Sequence, residues 1–228
     1  MEPERVVSGV YLLRFEIGQV YLWEWGDGLT VIDTGIDGSA DAILHAIDAI
    51  GRRSDDVKEI VLTHYHQDHR GGAADLAQRT GAPVIAHRAD APVIRGDLPE
   101  TPPNLTDFER PIAEAVMPRV PPARPVVVDR EVEDGDTTAG GGVIVGVPGH
   151  TPGSIALHAP DRRVLFTGDT IAFFEGNPIL GVFNIDRDEA IRSLRKQAEL
   201  EFDVACFGHG DPIGGDAGRR IRLLAESL

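Results

Sequence analysis

The chain has 228 residues, of which 42% are hydrophobic and 26% charged, so it can bury a sizeable core and is not expected to be disordered. Its formal net charge of -15 would repel phosphate backbones and anionic lipid, which argues against a nucleic-acid partner and against a membrane surface. No run of about 20 apolar residues and no signal-peptide pattern is visible. We therefore expect a cytoplasmic protein with a single domain over residues 1–228.

Short β-type runs alternate with turn and helix signals along the chain. Residues 20–25 and 29–32 predict a hairpin that turns at Asp27-Gly28, and the next helix begins at Ser39 and ends at Gly51. Further strands are predicted at 59–62, 83–86, 126–128, 143–147, 154–157, 164–166 and 204–207, with helices ending at Gly81, over 187–200 and at the end of the chain. This order predicts two sheets packed face to face with helices outside.

Residues 97–125 contain eight of the 16 prolines in the chain. Because proline interrupts helices and sheets, no long regular element fits there, although 112–117 is compatible with a helical turn. We expect this segment to run over the surface. The sequence leaves open whether it covers a functional site or mediates self-association into a homodimer.

Three imidazoles and one carboxylate lie within six residues in Thr63-His64-Tyr65-His66-Gln67-Asp68-His69. Random placement of eight histidines would give this His-x-His-x-Asp-His pattern in on the order of one such chain in a thousand. Residues two apart on an extended segment point the same way, so His64 and His66 can share one metal ion, while Asp68 and His69 diverge toward a second. A catalytic ion needs about four to six donors including water, so other segments must supply more ligands.

Three further candidate ligands, His150, Asp169 and His209, each follow a β-type run and have glycine neighbours. Glycine lets the backbone approach a buried ion closely, so these side chains can converge on one point. Asp33 ends an apolar strand and is a candidate to accept the second N–H of a ligating imidazole; the alternative is a simple turn residue before Gly35.

The remaining histidines lack this context. His45 lies away from the apolar stripe of its helix and is expected at the surface, and His87 and His158 are expected to be structural. The single cysteine, Cys206, lies in an apolar run and is expected to be buried, without a disulfide partner in the chain.

Five segments in register resemble the metallo-β-lactamase-fold hydrolases, a group that includes glyoxalase II-like thioesterases and lactonases. The segments are Asp33-Thr34-Gly35, His64-x-His66-x-Asp68-His69, Gly149-His150-Thr151, Thr167-Gly168-Asp169 and Gly208-His209-Gly210. The resemblance implies an α+β fold, an αββα sandwich of two mixed β-sheets flanked by helices, with metals at one edge. It also implies the ligand sets: His64, His66 and His150 for the first metal, Asp68, His69 and His209 for the second, and Asp169 as the bridge.

Two divalent metal ions in such a centre would generate a hydroxide nucleophile near neutral pH and stabilise the oxyanion formed after attack. The donors are nitrogen and oxygen without a thiolate, which suits zinc and tolerates iron or manganese. We therefore predict hydrolysis of a small ester, thioester or lactone, with Asp68 as a catalytic residue that orients the hydroxide or relays a proton. Phe173, Phe174 and Phe183 are candidates for an apolar substrate wall; the alternative is that they belong to the core.

Two other functions stay open at this point. A mononuclear iron oxidoreductase, similar to persulfide dioxygenases, would use only His64, His150 and Asp169 as ligands. A metal-bound scaffold protein without turnover would show the same residues. Several lactamase relatives bind the second metal through a cysteine where this chain has Asp169, and glyoxalase II-like enzymes have a Gly-Arg pair that this chain lacks. A secreted β-lactamase and a glutathione-thioester hydrolase are therefore disfavoured.

Overall fold

The computed structural model describes residues 2–228, and this part of the chain contains thirteen strands and seven α-helices. The strands are β1 (Glu4–Val7), β2 (Val10–Arg14), β3 (Gln19–Trp25), β4 (Gly28–Ile32), β5 (Val57–Val61), β6 (Val84–His87), β7 (Arg130–Val132), β8 (Val143–Gly146), β9 (Ile155–Ala159), β10 (Val164–Phe166), β11 (Ile171–Phe174), β12 (Asn177–Leu180) and β13 (Val204–Cys206). The helices are α1 (Ala40–Ala49), α2 (Gln67–Arg70), α3 (Ala73–Thr80), α4 (Ala91–Ile94), α5 (Glu109–Val116), α6 (Arg187–Ala198) and α7 (Ala217–Ser227).

The strands form two mixed sheets and a separate hairpin. The larger sheet has the order β1-β2-β3-β4-β5-β6-β7, antiparallel from β1 to β4 and parallel from β4 to β7. The smaller sheet has the order β13-β10-β9-β8, and only its β13–β10 pair is parallel. β11 and β12 pair with each other as an antiparallel hairpin. Strand β4 is buried along its whole length and β5 everywhere except at Lys58, because the second sheet covers one face of this sheet and helices cover the other.

Three apolar clusters hold four layers together. The central cluster joins the inner faces of the two sheets, with Leu12, Trp23 and Ile85 of the larger sheet in the same cluster as Leu157 and Phe166 of the smaller one. A second cluster packs α1 and α3 on the outer face of the larger sheet. A third packs α6 and α7 on the smaller sheet. The α+β fold predicted from the sequence, an αββα sandwich of two mixed β-sheets, is confirmed.

The first hairpin turns one residue earlier than predicted. Trp25 pairs with Gly28, so the two turn residues are Gly26 and Asp27 rather than Asp27 and Gly28. Gly26 has a φ of 47°, and glycine at the first central position is what a two-residue hairpin turn of this kind favours. Gly28 instead lies in β4, where a Cβ would come within 2.5 Å of the Trp25 ring.

The predicted strand at 126–128 is wrong, because the chain joins the larger sheet only at Arg130. Val126 N donates to the carbonyl of Ile94 at 3.2 Å, and Val127 is 68% exposed. The preceding Pro125 cannot donate a ladder hydrogen bond, so an extended apolar run here does not pair as a strand.

The proline-rich residues 97–125, called the roof below, contain one short helix. Helix α5 covers two turns, where the sequence predicted one turn at 112–117, and a 3-10 turn follows at Met117–Arg119. Pro111 fits because it lies in the first turn of α5, where a backbone N–H has no partner inside the helix. No helix in residues 2–228 is long and apolar enough to cross a membrane.

Candidate metal centre

The predicted ligands lie at the ends of strands from both sheets. The segment 63–69 follows β5 of the larger sheet, while His150, Asp169 and His209 follow β8, β10 and β13 of the smaller sheet. Because the two sheets pack face to face, these strand ends meet at one edge of the sandwich. The structure therefore brings together all seven, called the donor cluster below: His64, His66, Asp68, His69, His150, Asp169 and His209.

The first group of donors consists of three imidazoles. His66 Nδ1 lies 3.0 Å from His64 Nε2 and 2.9 Å from His150 Nε2. Burial lowers the pKa of His64 well below its ordinary value, that of His66 to about 4 and that of His150 to about 3. The three rings are therefore neutral near pH 7, and neutral imidazole is the form that binds a metal ion.

The second group combines two imidazoles with a carboxylate. His209 Nε2 lies 3.3 Å from Asp68 Oδ2 and 3.4 Å from His69 Nε2. Burial opposes the positive charge on these two rings, but the carboxylates of Asp169 and Asp68 outweigh it, raising the pKa of His69 well above its ordinary value and that of His209 to about 10. A cation held between the two rings would displace these protons and would itself compensate the negative charge of the two carboxylates.

Asp169 connects the two groups. Its Oδ2 lies 3.1 Å from His209 Nε2 and 3.7 Å from His150 Nε2, and its Oδ1 lies 3.3 Å from His69 Nε2. Oδ1 is buried and has no hydrogen-bond partner within the protein. A buried carboxylate oxygen without a partner is costly, so this donor set fits divalent cations better than it fits an ordinary hydrogen-bond network.

Asp33 and Thr63 fix which nitrogen of two imidazoles faces the centre. Asp33 Oδ1 accepts from Thr63 N at 2.7 Å, and Asp33 Oδ2 accepts from Thr63 Oγ1 and from His69 Nδ1, both at 2.8 Å. Since Thr63 Oγ1 donates to Asp33, it accepts from His64 Nδ1 at 3.0 Å. Both rings are therefore protonated on Nδ1, which leaves Nε2 as the nitrogen available to a metal ion.

Two glycines leave room for this convergence. A Cβ on Gly208 would lie 2.0 Å from Asp169 Oδ1 and 2.7 Å from His69 Cε1. Gly149 has a φ of 128°, and a Cβ there would lie 2.2 Å from Ala190 N at the start of α6. Larger residues at these positions would push His209 and His150 out of place.

Asp90 is a positioning residue that the sequence analysis missed. It is fully buried, and its Oδ2 accepts from Tyr65 N at 3.0 Å and from Thr151 Oγ1 at 2.6 Å, while its Oδ1 accepts from Gly153 N at 2.7 Å. It thus ties the His64–His66 segment of one sheet to the His150 loop of the other. Burial raises the pKa of Asp90 to about 6 despite these hydrogen bonds. Its position just after β6 is the strand-end signal that identified Asp33.

A cavity of about 520 Å³ opens on the donor cluster, and His66, Asp68, His150, Asp169 and His209 line one side of it. The roof lines the opposite side, so this segment covers the site. Such a volume is ordinary for a small-molecule site.

Of the three phenylalanines that the sequence proposed as a substrate wall, one lies at the cavity. This is Phe183. The prediction is wrong for the other two: the Phe173 ring stacks on Phe207 with 5.9 Å between centroids, under the Arg220 guanidinium, and Phe174 is 57% exposed. Successive residues of β11 point to opposite faces of the β11–β12 hairpin, and neither of these two lines the cavity.

The other residues singled out lie away from the centre. His45 is exposed on α1, as predicted, His87 is half-buried at the end of β6, and His158 Nε2 bonds the carbonyl of Glu201 at 3.1 Å. Cys206 is buried, and burial raises the pKa of its thiol, which makes it unreactive.

Comparison with known proteins agrees with this geometry. The sequence profile of the Metallo-beta-lactamase superfamily matches residues 13–209. The chain is 28% identical to the probable metallo-hydrolase YflN of Bacillus subtilis, over 91% of this chain and 86% of that protein. It is 29% identical to the probable metallo-hydrolase YybB of the same organism, over 93% of each.

A third relative is longer. The chain is 32% identical to a hydroxyacylglutathione hydrolase of Cereibacter sphaeroides over 71% of this chain, which spans only 51% of that protein. Among solved structures, a metallo-beta-lactamase of Cronobacter sakazakii with an HARLDQ motif superposes with a TM-score of 0.75 at 23% identity, covering 100% of this chain and 92% of the other. This last match concerns the fold alone.

The fold and the donor cluster define a metal-binding hydrolase. The chain belongs to the metallo-beta-lactamase superfamily, whose fold implies that divalent metal ions are bound.

Proposed function

We propose that this protein hydrolyses a small ester, thioester or lactone by means of a dinuclear metal centre, with zinc as the expected metal. The observation that carries the proposal is the position of Asp169, whose carboxylate lies within 3.1 to 3.7 Å of donor nitrogens from both groups. When bound, two divalent ions would lower the pKa of water and polarise a substrate carbonyl. His64, His66 and His150 would hold one, Asp68, His69 and His209 the other, and Asp169 both.

The residues of the chain supply orientation and proton handling. Asp68 lines the cavity, and its Oδ2 faces His209, so it is placed to orient a water molecule and to hold a proton released during attack. Asp33 keeps His69 Nε2 directed at the centre. The roof covers the opposite side of the cavity, so a substrate bound beneath it would displace water from the centre and strengthen electrostatic interactions there.

Substitution of His209 distinguishes this function from a mononuclear iron oxidoreductase, which would need only His64, His150 and Asp169. With a dinuclear hydrolase, purified wild type contains two divalent ions per chain and turns over members of an ester, thioester and lactone panel. His209→Ala then loses one ion and most of the hydrolysis. His87→Ala, a histidine outside the centre, is the matched control and keeps both.

Elemental analysis, the substrate panel and oxygen uptake are measured together on the same preparations. One iron per chain, oxygen consumption and full retention of activity in His209→Ala would overturn the hydrolase. A cytoplasmic location, a small-molecule substrate and a homodimer stay predictions of the sequence, and light scattering on the purified protein tests the last.

A further inference from the structure

The part of the cavity away from the donor cluster is apolar. Helix α5 and the turn after it contribute the side chains of Ile112, Val116, Met117 and Val120, and the loop after β12 contributes Val182 and Phe183. Ile112 and Val116 are four residues apart and therefore share one face of α5. A ligand group that fills this space meets hydrocarbon on both sides.

Away from the donor cluster, the cavity offers no positive charge. Glu100 is the one charged side chain that lines it outside the cluster, and in residues 2–228 no lysine or arginine does so. The Arg70 guanidinium is buried and does not line the cavity: Nε donates to the carbonyl of Tyr65 at 2.6 Å, and the terminal nitrogens donate to the carbonyl of Arg124 and to Glu100, both at 3.3 Å. Its charge is already paired with Glu100.

The arginines of the roof also point away from the cavity. Arg119 pairs with Glu16, Arg124 pairs with Asp75 at 2.6 Å, and Arg110 lies 3.6 Å from Asp107. All three are exposed. A free carboxylate on a ligand would therefore enter the apolar part of the cavity without a counter-charge, which is strongly unfavourable.

Hydrogen bonds fix the first half of the roof, from Thr101 to Glu109, over the centre. Tyr65 Oη bonds the backbone of Thr101 at 3.3 Å, and Asn104 bonds the backbone of Asn184 and Ile185 at 2.9 and 2.5 Å. Glu109 Oε1 accepts from Phe183 N at 2.9 Å. The apolar wall thus has a defined shape.

The link from Glu109 to Phe183 supports a role in ligand binding. Phe183 has a φ of 62°, a conformation that bulky residues rarely adopt. Strained backbone of this kind persists only where surrounding contacts hold it, and it clusters at binding sites. Here the buried Glu109 carboxylate of the roof holds it, and the Phe183 side chain lies against the cavity.

We propose that the substrate carries an uncharged aliphatic acyl chain, which Ile112, Val116, Met117, Val120 and Phe183 bind, and that substrates with a free carboxylate on that chain are excluded. The inference rests on the proposed hydrolase function and names its substrate class. Burying each methylene of the chain contributes a factor of about three to four in affinity for the transition state.

The kinetic test uses metal-loaded protein and p-nitrophenyl esters of acetic, butyric and octanoic acid, together with the half-ester of octanedioic acid. We expect kcat/KM to rise on the order of 100-fold from butyrate to octanoate, since four methylenes are added. The half-ester, which differs from octanoate only in a terminal carboxylate, should be at least about 100-fold poorer. An octanoyl thioester and a lactone with an alkyl side chain identify which carbonyl group is preferred.

Charge substitution in the wall provides the decisive comparison. Val116→Lys should shift the octanoate to half-ester ratio by at least about tenfold toward the half-ester, because it supplies the missing counter-charge. Val127→Lys, two residues beyond the roof and 68% exposed outside the cavity, is the matched control and should leave the ratio unchanged. If Val116→Lys fails to fold, Met117→Lys, at a cavity position already 43% exposed, replaces it.

Binding to metal-free protein separates this inference from the function proposed above. Calorimetry should show that octanamide binds more tightly than its ω-carboxylated analogue in wild type and that Val116→Lys removes the difference. If no ester is hydrolysed but octanamide binds selectively, the hydrolase proposal fails and the apolar site stands. Hydrolysis of all esters without preference for chain length, or with the half-ester equal to octanoate, overturns the inference and leaves the hydrolase intact.

Discussion

The donor cluster and the roof face each other across one cavity but are held by different parts of the fold. The donors lie at the ends of strands in two packed sheets, and His64, His69 and His150 are almost completely buried. The roof has one short helix and many exposed side chains, and a few hydrogen bonds to the donor loops keep it in position. The difference indicates that reaction chemistry and substrate choice reside in separately alterable regions.

The largest effect is expected from the residue that connects the two donor groups. Asp169→Asn removes a carboxylate that faces both, and loss of such a preorganised charge should lower kcat/KM about 1,000-fold for every substrate. Metal content per chain should fall as well. Elemental analysis and steady-state kinetics measure the two effects.

The matched control for Asp169→Asn is Glu175→Gln, an exposed carboxylate at the tip of the β11–β12 hairpin. It should leave metal content and kinetics unchanged. If Asp169→Asn changed only the ratio between long and short esters, the proposed division of labour between donor cluster and roof would be wrong.

A smaller effect is expected from Asp33, which bonds the predicted ligand His69 and is not itself a predicted ligand. Asp33→Asn keeps the volume but places an amide N–H opposite either His69 Nδ1 or the Thr63 groups, so the ring loses the acceptor that fixes its tautomer. We expect the affinity of the second metal ion to fall about 10- to 100-fold, with the first group less affected. Competition with a chelator of known affinity measures this.

Asp37→Asn, an exposed carboxylate four residues further on, is the control for Asp33→Asn. Equal weakening of both ions in Asp33→Asn would show that the substitution disturbs the fold rather than one ligand.

Asp90 joins the two sheets, so its substitution should act mainly on stability and reduce activity by about tenfold at most. The folded protein holds the Asp90 proton up to about pH 6, whereas a free aspartate releases it near 3.8. Raising the pH through this window therefore destabilises the folded state of wild type. The free energy of unfolding of metal-free wild type, relative to Asp90→Asn, should fall between about pH 4 and about pH 6 and then stay constant.

Urea unfolding at several pH values measures this dependence, and Asp107→Asn, a fully exposed roof residue, should follow wild type throughout. A difference between wild type and Asp90→Asn that rises with pH would contradict the assignment.

The contrast between the two regions also explains what the sequence could predict. The donor cluster has local signals: four members lie in one segment rich in histidine directly after β5, and His150, Asp169 and His209 each lie beside glycine after an apolar strand. The fold carries these strand ends to one edge. Asp90 also follows a strand, but it has neither glycine nor histidine beside it, so the sequence does not mark it. The roof offers no such signal, since Asn104 meets Ile185 across 81 residues of sequence. The run at 126–128 looked like a strand because apolar content does not reveal whether a partner strand is within reach.

The smallest effect is expected from Tyr65→Phe, which removes the hydroxyl that bonds Thr101 and leaves the buried ring in place. Loss of this tether should lower the free energy of unfolding by about 0.5–1.5 kcal/mol. Tyr11→Phe, which loses a bond to Glu24 far from the cavity, is the matched control. Since Asn104 and Glu109 still hold the roof in Tyr65→Phe, the preference for octanoate over acetate should change less than about fivefold, because a single neutral hydrogen bond contributes only about 1 kcal/mol. Collapse of that preference in Tyr65→Phe, but not in Tyr11→Phe, would mean that one hydroxyl rather than several tethers positions the wall.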